Sequence, residues 1–200
     1  MDKLGQTLLK GGAVILPTET VYGIFARALD EKAVDGVYQL KKRPRDKAMN
    51  LNVSSLDDML AFSKDQPPFL HQLVKAFLPG PLTIILKAND RVPYWVNSGM
   101  ATVGFRMPDH QVTLAYIKDF GPLIGPSANV SGHESGKVYD NIIEAFKGQV
   151  EGIKDDQAIR GIDSTILDIS GPKAKIIRQG LIGQKELQEK VPELIFEDCK

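Results

Sequence analysis

The sequence predicts one α/β domain (α+β in stricter usage) in which helices flank a twisted, mixed β-sheet. Short apolar runs alternate with amphipathic segments, a pattern typical of a sheet packed against helices. Strands bounded by proline turns are numerous, which favours a mixed sheet over a purely parallel one. With 200 residues, 42% of them hydrophobic, the chain can bury one core without a disulfide or metal. We expect residues 1–183 to form this domain and residues 184–200 to add a C-terminal helical tail to it.

The first elements follow from helix and strand signals in the opening part of the chain. Residues 4–10 predict an amphipathic helix that ends at Gly11, and residues 13–16 predict a buried strand. Asp30 is placed to cap a second helix. The apolar face of that helix is formed by Val34, Val37 and Tyr38.

The later elements follow from the same kinds of signal. Residues 49–53 alternate apolar side chains with asparagine, which predicts a half-buried strand. Ser55 and Asp58 have the spacing of a capping box at the start of a helix, and residues 69–78 predict another helix. We predict further strands at 82–86, 102–106 and 164–169, and a further helix at 138–146.

Charge and cysteine content exclude several classes of protein. The 25 basic and 25 acidic side chains balance, so the chain as a whole is not a polyelectrolyte binder. The single cysteine, Cys199, excludes an intramolecular disulfide and a cysteine-based zinc site. We find no signal peptide and no run of about 18 apolar residues, so we expect a cytoplasmic protein without membrane contact.

Two early segments are candidates for ligand binding. Residues 17–23 (Pro-Thr-Glu-Thr-Val-Tyr-Gly) follow a predicted strand, and their polar side chains either orient a ligand or only cap a turn. Residues 41–47 (Lys-Lys-Arg-Pro-Arg-Asp-Lys) gather five cations around the end of a helix. One or two cations complement a helix dipole, so this crowding favours an anion site, with a polyphosphate as its ligand.

Two later segments carry further polar side chains. Residues 125–136 form a loop rich in glycine and hydroxyl groups ahead of a helix, which is typical of an anion cradle. This loop is not a P-loop, because three residues separate its glycines and Val138 follows the lysine.

Arg106 lies in an otherwise apolar strand and needs a partner if it is buried. Polar residues also stand at the ends of late strands, at 161–165 and 178–180.

No nucleophile with an adjacent base is evident in the sequence. The histidines His71, His110 and His133 lie far apart, and no metalloprotease, esterase or kinase motif is present. An enzyme with these residues would work by positioning its substrates and neutralising their charge.

Seven short motifs occur along residues 11–182, nearly the whole chain. They are Pro17-Thr-Glu-Thr-Val-Tyr-Gly23, Lys41-x-Arg43-Pro44, Pro79-Gly-Pro-Leu-Thr83, Arg106-x-Pro108, Ser127-Ala-Asn-x-Ser-Gly132, Gly161-x-Asp-Ser-Thr165 and Arg178-x-Gly180. Together and in this order they resemble the YrdC-like family, the threonylcarbamoyl-AMP synthases. The resemblance implies a YrdC/RibB-like fold. It also implies the short, single-domain bacterial form, since longer relatives carry a second domain.

The resemblance further implies a nucleotidyltransferase. The family joins L-threonine, bicarbonate and ATP into threonylcarbamoyl-AMP and pyrophosphate. The threonine nitrogen becomes a carbamate, whose oxygen attacks the α-phosphate, and Mg²⁺ is expected with the nucleotide. Other proteins would then use the product to complete N6-threonylcarbamoyladenosine in tRNA.

The family's contacts carry over to this chain in three sets. The residues expected to be catalytic at the phosphates are Lys41 and Arg43. The residues expected to hold ATP are Arg43, Lys47, Thr102, Ser127, Ser135 and Arg178. The residues expected to hold L-threonine are Thr20, Arg106, Gly125 and Ser164. Arg106 would pair with the threonine carboxylate as a bidentate fork.

The chain departs from the family pattern at four places. Lys42 stands where many relatives have glycine, and Asn52 stands where longer relatives have histidine. Gly136-Lys137 stands where the family often has proline-threonine, and Asp163 stands where it usually has glutamate. Two alternatives stay open. One is an RNA-binding or ribosome-maturation module that uses the same basic concavity, although the cations lack interleaved aromatic residues. The other is an enzyme with a different carbamoyl-type acceptor.

Overall fold

A computed structural model describes residues 1–134 and 136–197; Ser135 and Cys199, both named above, lie outside the described residues. The helices are α1 (Lys3–Leu9), α2 (Glu31–Lys41), α3 (Leu56–Phe62), α4 (Leu70–Phe77), α5 (Tyr94–Asn97), α6 (Gln111–Phe120), α7 (Tyr139–Ala145) and α8 (Gln184–Lys190). The strands are β1 (Val14–Leu16), β2 (Gly23–Arg27), β3 (Leu51–Asn52), β4 (Ser63–Lys64), β5 (Leu82–Ala88), β6 (Thr102–Arg106), β7 (Leu123–Ile124), β8 (Glu151–Gly152), β9 (Thr165–Asp168) and β10 (Lys175–Arg178).

The strands form one mixed sheet in the order β10-β9-β5-β6-β3-β7-β2-β1-β8, and β4 pairs with β5. The pairs β1/β8, β3/β6 and β5/β9 are parallel, and the other pairs are antiparallel. The expected mixed sheet with flanking helices is therefore confirmed.

Helices pack on both faces of the sheet. Along β1, Ile15 enters the larger core cluster, whereas Val14 and Leu16 enter a smaller one. Successive side chains of a strand point to opposite faces, so β1 is apolar throughout because both of its faces are covered. Leu8 of α1 and Ile117 of α6 complete the smaller cluster.

The C-terminal segment packs onto the main core. Leu187 of α8 is fully buried, and so is Val191 just after the helix. Beyond the helix the chain returns to the sheet, where Phe196 forms a parallel bridge to Ala174. The helical part of the predicted tail ends at Lys190, earlier than expected.

Helix-capping signals in the sequence match the structure. The Asp30 carboxylate accepts hydrogen bonds from the backbone N–H groups of Lys32 and Ala33. Ser55 accepts from the Asp58 N–H at 3.1 Å, but the Asp58 carboxylate turns to Ser54 instead of completing the box. No helix in the described ranges is both long and apolar enough to cross a membrane.

The half-buried strand predicted at 49–53 differs from the structure. Only Leu51 and Asn52 are in strand conformation, and both are buried. The strand lies between β6 and β7 in the middle of the sheet, so its polar face meets protein groups and a cavity instead of bulk water.

Candidate active site

A row of side chains crosses the middle of the sheet and forms the floor of a cavity. Thr83 of β5, Arg106 of β6 and Asn52 of β3 are direct neighbours in the strand register. Ile166 of β9 pairs with Thr83 and extends the row. Residues in direct register share one face of a sheet, and all four line a cavity of about 230 Å³.

The cavity walls come from segments that are far apart in the sequence. The segments 18–23, 43–50, 125–127 and 163–164 each contribute some of their residues to its lining. The predicted site residues that line it are Arg43, Arg106, Gly125, Ser127, Ser164 and Arg178. The fold therefore brings six of the eleven predicted site residues to one cavity, and Ser135, one of the other five, lies outside the described residues.

Arg106 is held from behind by the loop that follows β1. Its Nη2 donates to Glu19 Oε1 at 2.9 Å and to Thr20 Oγ1 at 2.6 Å. Glu19 is buried, and its other carboxylate oxygen accepts from the Asp109 N–H at 2.9 Å. A buried carboxylate thus fixes one edge of the guanidinium and offsets part of its charge.

The proton and the oxygen of the Thr20 hydroxyl are both already used in hydrogen bonds to neighbouring side chains. Thr18 Oγ1 donates to the carbonyl of Val21 at 2.6 Å, so the 3.0 Å contact between the two threonines uses the Thr20 proton. The Thr20 oxygen accepts from Arg106, and Thr20 is fully buried outside the cavity lining. Thr20 therefore orients Arg106, and its direct contact with threonine stays a prediction.

A second nitrogen of Arg106 has an unsatisfied N–H group. Its Nε is buried and has no hydrogen-bond partner among residues 1–134 and 136–197. A buried guanidinium N–H without an acceptor is costly, and an anionic group of a ligand would satisfy it. The floor of the cavity is therefore suited to a carboxylate.

Ser164 and Arg178 form a second hydrogen-bonded group beside the floor. Arg178 donates from Nε to the Ser164 carbonyl at 3.0 Å and from Nη2 to Ser164 Oγ at 3.1 Å. Thr83 Oγ1 lies 2.9 Å from the same hydroxyl. Burial lowers the pKa of the Arg178 guanidinium; Asp163, 3.6 Å away, opposes this shift, and Arg106 adds to it.

The basic segment does not converge on the cavity as the sequence suggested. Arg43 lines the cavity, where its Nε and Nη2 donate to the carbonyls of Lys47 and Ala48 at 3.0 and 2.8 Å. Burial lowers the pKa of the Arg43 guanidinium. Arg45 instead pairs with Asp35 and covers the ring of Tyr38. The five cations do not crowd together, because the left-handed turn that ends α2 directs their side chains apart, and the role of this segment as an anion site stays a prediction.

Lys41 is buried, with 1% of its surface exposed. Its ammonium donates to the carbonyls of Ser127 and Asn129, and its own carbonyl accepts from the Ser131 N–H at 2.8 Å. Ser127 Oγ in turn donates to Asn129 Oδ1 at 2.5 Å. Burial and the charge of Arg43 lower the pKa of Lys41 to about 7. Lys41 therefore anchors the hydroxyl loop, and its phosphate contact stays a prediction.

Two other predicted ATP contacts lie away from the cavity. Thr102 is on the same face of β6 as Arg106 but about 13 Å along the strand, at ~3.3 Å per residue. Thr102 contributes to a neighbouring cavity with Lys87 and Asn97. Lys47 is exposed and does not line the site. Both contacts stay predictions.

Three further residues shape the site and are not among those predicted from the sequence to contact a ligand: Asn52, Thr83 and Glu19. Asn52 Nδ2 donates to the Leu123 carbonyl at 3.3 Å. A Cβ on Gly125 would lie 2.6 Å from that nitrogen, so glycine is required beside it. A polar residue inside an apolar strand, the signal that identified Arg106, also applies to Asn52 and Thr83.

The donor groups of the cavity are those of an anion site. No group of three or more His, Cys, Asp or Glu side chains that could hold a metal ion occurs in the described part of the chain. Asp163 contributes a carboxylate to the lining, while Arg43, Arg106 and Arg178 contribute guanidinium groups. Such a site can hold two anions close together and screen their repulsion.

Comparison with known proteins identifies the family. The sequence profile of Sua5/YciO/YrdC proteins, described as telomere recombination, matches residues 6–180. The chain belongs to this family. The threonylcarbamoyl-AMP synthase of Pyrococcus abyssi is 35% identical over 187 residues, which are 92% of this chain and 55% of that protein. The putative threonylcarbamoyl-AMP synthase of Methanocaldococcus jannaschii is 34% identical over 94% of this chain and 88% of that protein.

Solved structures of Sua5/YciO/YrdC proteins share the fold. Pyrococcus abyssi Sua5 complexed with L-threonine has a TM-score of 0.89 and 34% identity, over 96% of this chain and 57% of that one. Escherichia coli YciO has a TM-score of 0.80 at 22% identity, over 92% of this chain and 90% of that one. This chain spans about half the length of the curated Pyrococcus abyssi and Bacillus subtilis relatives.

Proposed function

We propose that this chain is an L-threonylcarbamoyladenylate synthase, a nucleotidyltransferase that converts L-threonine, bicarbonate and ATP to threonylcarbamoyl-AMP and pyrophosphate. The observation that carries the proposal is the buried Nε of Arg106, which has no hydrogen-bond partner among the described residues and lies in a cavity with two further guanidinium groups. Relatives that are 33–35% identical bear this name, and the Pyrococcus abyssi Sua5 structure is described as a complex with L-threonine.

The cavity divides into two parts that fit the two substrates. The threonine carboxylate would lie on Arg106, beside Ser164 and Gly125, on the floor of the cavity. The ATP phosphates would lie toward Arg43 and Arg178, where half-buried guanidinium groups have donors left for oxygen. Glu19 lies behind Arg106, so the carboxylate side carries less net positive charge than the phosphate side.

The chemistry follows from this placement. The threonine nitrogen bonds to the carbon of bicarbonate, and hydroxide leaves as water with a proton from the amine. A carbamate oxygen then bonds to the α-phosphorus as the bond to pyrophosphate breaks. Both partners of the second step are anions, so the protein contributes proximity and fixed positive charge. Loss of the Arg43 guanidinium should cost about 2–4 kcal/mol of transition-state stabilisation.

Mg²⁺ fits this site only together with the nucleotide. Asp163 is the acidic side chain in the cavity lining, and Mg²⁺ sites of this kind combine one or two carboxylates with substrate phosphates. When bound, the ion would neutralise phosphate charge. We also propose a cytoplasmic location and transfer of the product to the proteins that modify tRNA.

The test is pyrophosphate release from ATP and bicarbonate with each amino acid in turn. We expect release only with L-threonine, and release that does not depend on L-threonine would refute the proposal. Arg43→Ala should lower the rate about 30- to 1,000-fold. Arg45→Ala is the matched control, since Arg45 pairs with Asp35 outside the cavity. RNA binding at nanomolar affinity in physiological salt, without amino-acid-dependent release, would favour the RNA-binding alternative.

A further inference from the structure

We infer that Thr83 is a positioning residue, whose hydroxyl fixes the Ser164 side chain so that the Ser164 proton is directed to the bound amino acid. The inference rests on the proposed function and concerns the same cavity. Thr83 is the last residue of the Pro-Gly-Pro-Leu-Thr motif at 79–83.

The position of Thr83 in the sheet is central to the site. It lies on β5, paired with Arg106 on one side and with Ile166 on the other. It is fully buried, and it lines the cavity. Thr83 is therefore next to the expected carboxylate site and next to the group formed by Ser164 and Arg178.

When an anion is bound in the cavity, the hydrogen bonds around Ser164 favour one orientation of its O–H group. Ser164 Oγ accepts from Arg178 Nη2 at 3.1 Å and lies 2.9 Å from Thr83 Oγ1. If Thr83 donates to Ser164, the Ser164 O–H is free to donate into the cavity. A carboxylate has only acceptors, so this arrangement gives one more hydrogen bond to the ligand than the reverse direction.

Thr83 thus acts through Ser164 and not by contact with the ligand. Valine at this position keeps the branched shape and the burial but removes the donor. Serine keeps the donor and removes only a methyl group. The two variants separate the role of the hydroxyl from the role of packing, because valine removes the hydroxyl and keeps the packing, whereas serine keeps the hydroxyl and removes a methyl group.

The experiment combines a double-mutant cycle with the pyrophosphate-release assay and calorimetric titration of L-threonine. We expect Thr83→Val and Ser164→Ala each to raise the KM and the Kd for L-threonine about tenfold, the effect of one hydrogen bond, with kcat changed less than about twofold. In the Ser164→Ala background, Thr83→Val should add less than about twofold. Thr83→Ser should restore most of the affinity that valine loses. Circular dichroism and thermal unfolding show whether each variant is folded.

The following results would overturn the inference. Multiplicative effects in the double variant, about a hundredfold in total, would overturn the inference because Thr83 would then act independently of Ser164. An unchanged KM in Thr83→Val, or no rescue by serine, would overturn it as well. If the unmodified protein neither binds L-threonine nor releases pyrophosphate, the proposed function fails and this inference fails with it.

Discussion

The buried lysine that anchors the hydroxyl loop predicts a specific pH dependence of stability. Burial and the charge of Arg43 lower the pKa of Lys41 from 10.5 to about 7. Between these two values the unfolded chain holds a proton on Lys41 that the folded protein has released. The free energy of unfolding must therefore rise with pH over this interval.

The size of the effect follows from the pKa. Integrating the difference in bound protons from pH 7 to pH 9 gives a contribution of about 2 kcal/mol from Lys41. Below pH 7 the charged ammonium is buried and the contribution is lost. The neutral amine keeps two N–H donors, so the carbonyls of Ser127 and Asn129 can stay bound as the pH rises.

Urea unfolding at pH 7, 8 and 9 measures this contribution in the unmodified protein and in Lys41→Met. The other titrating groups are common to both, so the difference between the two free energies isolates Lys41. We expect that difference to change by about 2 kcal/mol in favour of lysine between pH 7 and pH 9. Lys42→Met, at the exposed neighbouring position, should follow the unmodified protein. A difference between unmodified protein and Lys41→Met that stays constant within about 0.5 kcal/mol would refute the reasoning.

Four further substitutions test the site. Arg106→Lys removes the buried Nε–H group and should weaken L-threonine binding by about 1.5–3 kcal/mol in calorimetry. Unchanged affinity would contradict the carboxylate assignment. Glu19→Gln leaves the buried Arg106 charge without its counter-ion, so the free energy of unfolding measured in urea should fall by about 3 kcal/mol. A fall of less than about 1 kcal/mol would mean that the ion pair is dispensable for stability. Gly125→Ala places a Cβ 2.5 and 2.6 Å from neighbouring side chains, so it should lower the free energy of unfolding by about 1–3 kcal/mol and weaken L-threonine binding. L-threonine affinity equal to that of the unmodified protein would show that the cavity can widen to accept the methyl group. Tyr22→Phe removes the hydroxyl that donates to Asp156 at 2.8 Å and should lower the free energy of unfolding by about 1–2 kcal/mol, which equal urea midpoints would disprove.

The sequence by itself determined the elements whose signals are local. Asp30 caps its helix as expected, because a cap requires only a side-chain oxygen next to the first free N–H groups. The strand predicted at 102–106 is observed with the same bounds, because its apolar alternation is complete within five residues. Arg106 was identified as a site residue for a related reason, since a charge in an apolar strand is conspicuous without any knowledge of its neighbours.

Only the tertiary structure decided which polar residues share the cavity. The sequence crowds five cations into the 41–47 segment, yet the structure brings Arg43 to the cavity, buries Lys41 against the hydroxyl loop and pairs Arg45 with Asp35. The direction of each side chain depends on the backbone turn after α2 and on partners more than 80 residues away, such as Ser127 and Asn129. The same holds for the row formed by Asn52, Thr83 and Arg106, which exists because three strands pair in one register. Long connections separate these strands in the sequence, so no hairpin turn fixes their register, and the pairing depends on which faces the whole sheet buries.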